Sequence, residues 1–560
     1  MRIKLPKSTK GYVYQRLFTV ELNDFDVERL LPSLFYLIVT RGRRRGGRKN
    51  DAKDIDGHIE AFASHPGLEG FEGAEGKRLL ERWVRTSIVH VGRAGQAKNQ
   101  EQMEYLVPLT FLVYKTGFPA EIRRQRNVHT FLYEVLTGVL TDLKIAAPGH
   151  ALDGLFRSAF GDGLKIGGAP DYDGSYDGTA EIDIQTLASI YFIDGFNATP
   201  ASSREAISEW NPALPAVARD LGLDLLRFMN AFNERMPALG LIRCLMALIS
   251  LELLAYTLKL VFATNSLVSE GELPAAMGNE PGRTPPELYV DFTRERGSAS
   301  DELARSSVER HLEELRVFYD SVLLLRTLDR FIELQPELLA RVIASKESSP
   351  DYLLTLVRLS KDPLVEARAQ AELASIRAES LEAALSDKEL RETEEFFAEL
   401  ARQPERSALT KAVDLLADAQ RKRAVEAFVK WYWSIGGLRK PYGLLSGNLR
   451  GRKNWRYSMS DDLLATLVQL AFVDPTSDLQ RVALRSRVSL DEFLQFLESR
   501  FFILIDRPPA FMDSVTSRTA AKVNLEALKR RLRQMGFYEA LSDDFTAQYL
   551  RNPLTSEVKL

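Results

Sequence analysis

Residues 301–435 contain no glycine and are built largely from Glu, Leu, Ala and Arg. These are strong helix formers, and apolar residues recur at helical spacing through 301–334 and 363–385, so long amphipathic helices are predicted there. No fixed repeat period accompanies them, which points to an irregular bundle or a coiled-coil-like arm rather than a stacked-repeat array. A chain that commits this much of its length to helix is mainly α. With 560 residues and 45% hydrophobic composition it also has material for three or four domains, on a scale of about 150 residues each.

Residues 23–40 read as a helix that Asn23 or Asp24 can cap, with Val27, Leu30, Leu31, Leu34 and Leu37 along one face. Residues 77–92 and 121–144 are further helix candidates. A loop rich in Gly and Asp covers 161–183, and helical periodicity returns at 184–192 and 215–268. The most apolar stretch, 238–263, carries Arg243, Glu252 and Lys259. Its longest charge-free run, 244–251, is far short of the about 20 apolar residues of a membrane-spanning helix, so it reads as a buried core helix. The basic N-terminus has no apolar core behind it, and no secretory signal is expected. Cys244 is the only cysteine, which excludes an internal disulfide and a zinc site built on several cysteines. Both features fit a cytoplasmic protein with no membrane partner.

Pro274, Pro281, Pro285 and Pro286, with several glycines, make 271–300 the expected linker. The predicted units are 1–160, a helical domain with an arginine-rich loop; 161–270, a helical core domain with the Gly/Asp loop; 301–435, long helices; and 436–560. In the last, Ser460 is positioned to cap a helix that ends before Pro475, and a short helix is expected around 479–484. Ser489-x-x-Glu492 is a capping box opening a helix through Arg500. Residues 501–505 read as a strand, and Asn524 as the cap of a last helix through Met535. Helix, helix, helix, strand is the order of a winged helix-turn-helix. The expected fold class is therefore a mainly α, multidomain helical protein with a C-terminal winged-helix-like module. In this arrangement 490–500 would be the groove-facing helix, yet its polar face is acidic. The cations of Lys529, Arg530, Arg531 and Arg533 are better placed for phosphate.

The total charge is only −3, but it is segregated. Residues 421–457 hold ten Lys and Arg against Glu426 alone, a local charge of +9, together with Trp431, Trp433, Trp455, Tyr432, Tyr442 and Tyr457. Cations neutralise phosphates, and flat aromatics stack on bases or anchor a loop. Arg439, Lys440, Arg450, Arg452, Lys453 and Arg456, with Trp455 and Tyr457, are the candidate nucleic-acid contacts. An acidic protein and bulk solvent are the other possible neighbours of these charges. Glycines 436, 437, 443, 447 and 451 would let the backbone approach a ligand. A second candidate is 41–49, where Arg43, Arg44 and Arg45 form the centre of an arginine-rich arm.

Catalytic signatures are sparse. There is no phosphate loop of the Gly-x4-Gly-Lys-Ser/Thr type, no His-Glu-x-x-His, no Gly-x-Ser-x-Gly and no kinase set. Asp173-x-Ser175-x-Asp177-Gly178 partly fits a calcium loop, but Ile184 stands where a bidentate Glu belongs. Asp-initiated turns explain it, and no metal or other cofactor is expected. Arg-x4-His occurs twice, as Arg85 to His90 and Arg124 to His129. It resembles the short motif of the HEPN ribonucleases, in which Arg and His act on a 2′-hydroxyl and phosphate from one helix.

A longer pattern lies in the C-terminal third. It comprises Trp431-Tyr-Trp-Ser-Ile-Gly-Gly-Leu-Arg-Lys-Pro-Tyr-Gly-Leu-Leu-Ser-Gly-Asn-Leu-Arg450, Asn454-Trp-Arg-Tyr457, Leu504-Ile-Asp-Arg-Pro-Pro509, Asn524-Leu-Glu-Ala-Leu-Lys-Arg-Arg-Leu532 and Gln548-Tyr-Leu-Arg-Asn-Pro553. It resembles large subunits of bacterial methylation-associated anti-phage defence systems. The resemblance implies a multi-protein system in which a methyltransferase marks self DNA and other subunits act on unmarked phage DNA. It brings no catalytic motif. The expectation is a non-catalytic DNA-binding or assembly subunit with DNA and other defence subunits as partners. The alternatives are an effector ribonuclease using Arg-x4-His and a protein scaffold.

Overall fold

The computed structural model describes residues 13–43, 59–60, 63–64, 70–83, 89–93, 101–106, 111, 114, 125–160, 211–233, 235–273, 286–343, 348–403, 405–479, 481–540 and 548–553. Among them the fold is mainly α, with fifteen α-helices and nine short strands. The N-terminal part contributes α1 (Val27–Val39), α2 (Ala74–Trp83), a hairpin of β1 (Val89–Arg93) and β2 (Glu101–Leu106), α3 (Val128–Asp142) and α4 (Pro148–Phe160). Then come α5 (Pro215–Phe232), α6 (Ala238–Glu270), β3 (Leu288–Tyr289) and α7 (Ala299–Glu333). The helical middle continues with α8 (Pro336–Ile343), α9 (Ser349–Leu359), α10 (Pro363–Glu382), α11 (Asp387–Ala401) and α12 (Ala408–Ile435). The C-terminal part holds β4 (Leu445–Asn448), β5 (Gly451–Tyr457), α13 (Asp461–Phe472), β6 (Arg487–Ser489), α14 (Leu490–Phe501), β7 (Ile503–Leu504), α15 (Val515–Gln534), β8 (Tyr538–Ala540) and β9 (Gln548–Arg551).

The centre of the molecule is α6. Its apolar residues stand on every side, and such a helix must be enclosed. By length and composition it could cross a membrane. Here α5, α7, α12, α13 and α1 wall it in, and its side chains from Leu241 to Leu267 are mostly buried. It begins after Pro237, so the expected helical block 215–268 divides into α5 and α6: proline has no N–H to continue a helix but suits its start.

Enclosing α6 also encloses Glu252 and Lys259, 1% and 2% exposed. Arg500, near the end of α14, reaches Glu252 and Asp224: its Nη2 donates to Glu252 Oε2 at 2.9 Å and its Nε to Asp224 Oδ2 at 2.5 Å. Burial drives the Glu252 carboxyl well above its usual range, and Arg500 opposes that shift. Burial, with Arg500 nearby, pushes the Lys259 ammonium down to about 8, and its Nζ lies 4.7 Å from the centre of the Phe502 ring.

Several local expectations differ from the structure. The helix expected over 23–40 begins at Val27 with Asp26 at its N-cap, so neither Asn23 nor Asp24 caps it. Residues 286–292, expected as part of a linker, are built into the core, with 294–297 an exposed loop after them: Leu288, Tyr289 and Val290 are at most 1% exposed. The strand expected at 501–505 is β7, and it pairs in parallel with β3, more than 200 residues earlier. The run Ile503-Leu504-Ile505 is apolar on both faces, so it needs cover on both, which a buried parallel pair provides. The last helix starts at Val515 behind Ser514, whose hydroxyl accepts from Ser517 N, so Asn524 is not a cap. Asn524 is fully buried in mid-helix, donating to Val290 O and Ile505 O and accepting from Phe292 N at 2.7 Å. Residues 479–484 form no helix among those described; Leu484 instead bridges to Val473. By contrast, the cap at Ser460 and the capping box Ser489/Glu492 form as the sequence predicts.

The chain therefore runs α13, β6, α14, β7, α15, β8, β9, and an antiparallel sheet joins β6, β9 and β8 in that order. The expected plain series of three helices and a strand is replaced by this interleaved one.

Arg500→Met should leave Glu252 and Asp224 without their shared cation. Urea unfolding should show a loss of about 3–5 kcal/mol, the cost of breaking a buried ion pair from one side. A loss within about 0.5 kcal/mol would show that the cluster does not hold α14 on α6.

Candidate nucleic-acid interface

Residues 436–457 fold as a loop followed by the β4–β5 hairpin, which turns through Leu449-Arg450 and pairs Asn448 with Gly451. The glycines serve contacts within the chain. At Gly443 a Cβ would lie 2.1 Å from the Gly437 carbonyl oxygen, and at Gly447, with φ near +144°, it would lie 2.7 Å from Trp455 Cδ1. They allow backbone to cross backbone and the hairpin to close over Trp455, rather than bringing backbone to a ligand.

The aromatics point inward for the same reason. Trp431, Tyr432, Trp455 and Tyr457 are at most 1% exposed. Trp431 Nε1 donates to Thr257 Oγ1 on α6, and Trp455 Nε1 donates to Asn448 O at 2.7 Å. The Tyr457 hydroxyl lies 2.5 Å from that of Tyr432 and 2.7 Å from His311 Nδ1. Base stacking on Trp455 or Tyr457 is excluded: a ring inside the core has no face to offer. Tyr457 ties the hairpin to α12 and α7, while Trp455 closes the hairpin on itself. Burial, reinforced by the neighbouring Arg310, pushes the His311 imidazole down to about 3, so it is neutral.

The cations divide into those paired with carboxylates and those that are not. Lys440 Nζ contacts Glu28 Oε1 at 2.7 Å and Asp26 Oδ1 at 3.4 Å at the start of α1. Burial lowers its ammonium pKa, but Glu28 and Asp26 outweigh that and raise it, so it is a half-buried charge held by α1 and no free phosphate contact. Arg456 lies with Nε 3.2 Å from Asp301 Oδ1, and Arg421 pairs with Asp320 and Asp418. Arg450, Arg452 and Lys453 are exposed at the hairpin tip and have no carboxylate partner among the described residues. Arg439 is exposed beside them and donates to Asn448 Oδ1 at 3.3 Å.

A neighbouring segment was not legible as part of a site. Residues 291–298 are pinned between the hairpin and α15: Asp291 N donates to Tyr457 O at 3.0 Å, and Phe292 N to Asn524 Oδ1. The buried Asp291 carboxylate accepts from Thr293 N, Thr293 Oγ1, Arg294 N and Ser300 Oγ, which sets the loop. On one side a cleft of about 330 Å³ is lined by Arg296, Arg305 and Arg456 against Asp301. On the other a cleft of about 230 Å³ is lined by Arg294, Arg530 and Arg531 against Glu295. The loop thus carries a basic surface from the hairpin to α15. On α15, Lys522, Arg530 and Arg533 are exposed, while Lys529 is buried against Glu526 and Arg531 is held by Asp461. The basic letters of Arg294 and Arg296 are visible in the sequence, but nothing local links them to residues 446–456 or 523–534.

The other candidates fare differently. Arg85, Arg124, Arg44 and Arg45, and the Asp173–Gly178 loop, lie outside the described residues. Arg43 is exposed just past α1. His90 was expected on a helix with Arg85, but α2 ends at Trp83 and His90 lies on β1, paired with Tyr105. Alternating Val89 and Val91 favours a strand. His129 is in the first turn of α3, and Arg126 and Asn127 before it have φ of 50° and 65°. Left-handed residues cannot belong to a right-handed helix, so no single helix carries either Arg-x4-His pair. No cluster of potential metal ligands occurs among the described residues.

The molecule is thus a mainly helical protein with a basic strip across a hairpin, a pinned loop and a helix. The chain belongs to the family of methylation-associated defense system protein MAD7, whose sequence profile matches residues 7–554. The likeness read at 431–553 therefore extends over nearly the whole chain. No curated protein and no solved structure matches it.

Between its unfolded value of 6.5 and its folded value of about 3, His311 takes up a proton in the unfolded chain but not in the folded one. Stability should therefore fall as pH drops through that window, with a slope of up to about 1.4 kcal/mol per pH unit from this group. His311→Gln should flatten that portion of a urea-midpoint profile relative to the parent. Parallel profiles would mean that His311 is charged in the fold.

Proposed function

We propose that this chain is a non-catalytic DNA-contacting and assembly subunit of a methylation-associated anti-phage defence system, working in the cytoplasm. Membership of the family supplies the defence context. The observation that supports DNA contact is the hairpin tip, where Arg450, Arg452 and Lys453 stand exposed with no carboxylate partner among the described residues. Unpaired surface cations are the groups that displace counterions from a phosphate backbone. The hairpin is also fixed from beneath by Trp455 and Tyr457, so these charges are presented by a rigid base.

We further read 461–551 as a winged-helix module. In its support, a strand lies between the first two helices and pairs with the last strand, and the sheet order is β6, β9, β8. In this reading α14 and α15 are the helix pair, and α15, not 490–500, faces the groove. Its exposed Lys522, Arg530 and Arg533 suit phosphate contact better than the acidic face of α14. For assembly, the support is the helical middle, where Leu385 is 87% exposed between α10 and α11. The ribonuclease alternative has no such support, because neither Arg-His pair shares a helix.

Duplex DNA titrations at several salt concentrations test the reading. Affinity should fall steeply with salt. Replacing Arg450, Arg452 and Lys453 together by Ala should reduce the log–log slope by about 0.9 for each phosphate that is no longer neutralised. Unchanged affinity and slope would remove the hairpin from the DNA site.

A further inference from the structure

The cleft between the start of α7 and the hairpin differs from the rest of the basic strip. Three guanidiniums converge on it from three parts of the chain: Arg296 from the pinned loop, Arg305 from α7 and Arg456 from β5. One carboxylate, Asp301, lies at its base, 4% exposed. Asp301 Oδ2 is 3.2 Å from Arg305 Nε, and Oδ1 is 3.2 Å from Arg456 Nε. Gly297 N donates to Oδ2 at 3.0 Å. Asp301 is thus ion-paired with both guanidiniums at Nε without a hydrogen bond to either, and their Nη groups have no partner among the described residues, nor does Arg296.

Three cations against one anion leave a formal charge of +2 in a cleft of about 330 Å³. That volume falls in the range of small-ligand sites, about 300–1,000 Å³. A phosphodiester, with one negative charge, would leave the cleft positive. A phosphate monoester carries about −1.5 to −2 at pH 7 and three acceptor oxygens, and guanidinium Nη pairs are suited to bind it in forked fashion. Asn448 and Asn454, with Gly297, Ser446 and Gly447, complete the lining. Asn454 offers donors and an acceptor, and Asn448, whose Oδ1 accepts from Arg439, offers its NH2 donors, the equipment to meet a sugar hydroxyl or a base edge next to that phosphate.

We infer that this cleft binds a terminal phosphate monoester of a nucleotide, at a strand end or in a free mononucleotide. The inference deepens the DNA-contact reading and rests on it only for the strand-end case.

The test uses the full chain with two DNA oligonucleotides of one sequence, 5′-phosphorylated and 5′-hydroxyl, and with dAMP. The phosphorylated strand should bind at least about tenfold tighter than its twin, as expected for losing hydrogen bonds to a charged group. Arg296→Gln combined with Asn454→Asp, both at exposed positions, brings the cleft to zero formal charge without touching the ion pairs of Asp301. This variant should bring the ratio to near one. Arg452→Ala with Lys453→Ala should weaken both strands and keep the ratio. Equal binding of the twins together with measurable dAMP binding that the cleft variant abolishes assigns the site to a free nucleotide. Equal binding of the twins with no dAMP binding overturns the proposal and leaves the hairpin reading standing. If neither strand binds, the hairpin reading falls, and dAMP alone decides: binding abolished in the cleft variant upholds the site, and no binding overturns it. A ratio or dAMP affinity that the cleft variant leaves unchanged places the phosphate elsewhere and also overturns it.

Discussion

The burial of α6 is the constraint on which the rest depends. A helix of 33 residues with apolar side chains all round has no face to give to water. The N-terminal helices, α7, α12 and α13 are arranged around it, and one continuous apolar core runs from Tyr14 to Leu550. The same enclosure traps Glu252 and Lys259, which a low-dielectric interior tolerates only with partners. Arg500 is the partner of Glu252 and also binds Asp224, while Lys259 lies over the Phe502 ring, so the end of α14 is tied to the centre of the protein. Segments far apart in sequence share one core, although the chain is long enough for several.

A second junction sits at residues 286–298. β3 pairs with β7, Asp291 hangs from Tyr457, and Asn524 satisfies Val290, Phe292 and Ile505 at once. Each bond answers a buried backbone group that would otherwise lack a partner. The functional consequence is that the hairpin, the loop and α15 cannot move independently without breaking these bonds. A basic strip drawn from three distant segments is therefore held as one surface, on a support of Trp455, Tyr457 and His311.

Much of the helical structure was legible locally. Ser460 and the Ser489/Glu492 box are short-range devices, and both form. The apolar stretch 238–263 is the buried helix its composition required. The errors have a common cause. Asn524 has the letter of a cap but the surroundings of a core amide, and its three partners come from other segments. Proline and glycine around 274–286 suggested a linker, yet Leu288-Tyr289-Val290 directly after them is apolar and finds a parallel partner in β7. His90 was placed on a helix by the reading of 77–92 as one, while its β-branched neighbours put it on a strand. For the site, the concentration of cations at 421–457 was plain, but not which of them are free.

The sequence by itself determined that the protein is helical, where several helices start, and that its charge is segregated despite a total of −3. These follow from propensities, caps and composition, which act within a few residues. Only the tertiary structure decided which charges face solvent. Lys440 is taken up by Glu28, 412 positions away, and Arg456 by Asp301, while Arg450, Arg452 and Lys453 stay exposed on the hairpin. It alone brought Arg296 and Arg305 to Arg456. Coulombic pairing and burial depend on distance in space, and for residues hundreds of positions apart that distance is set by the packing around α6.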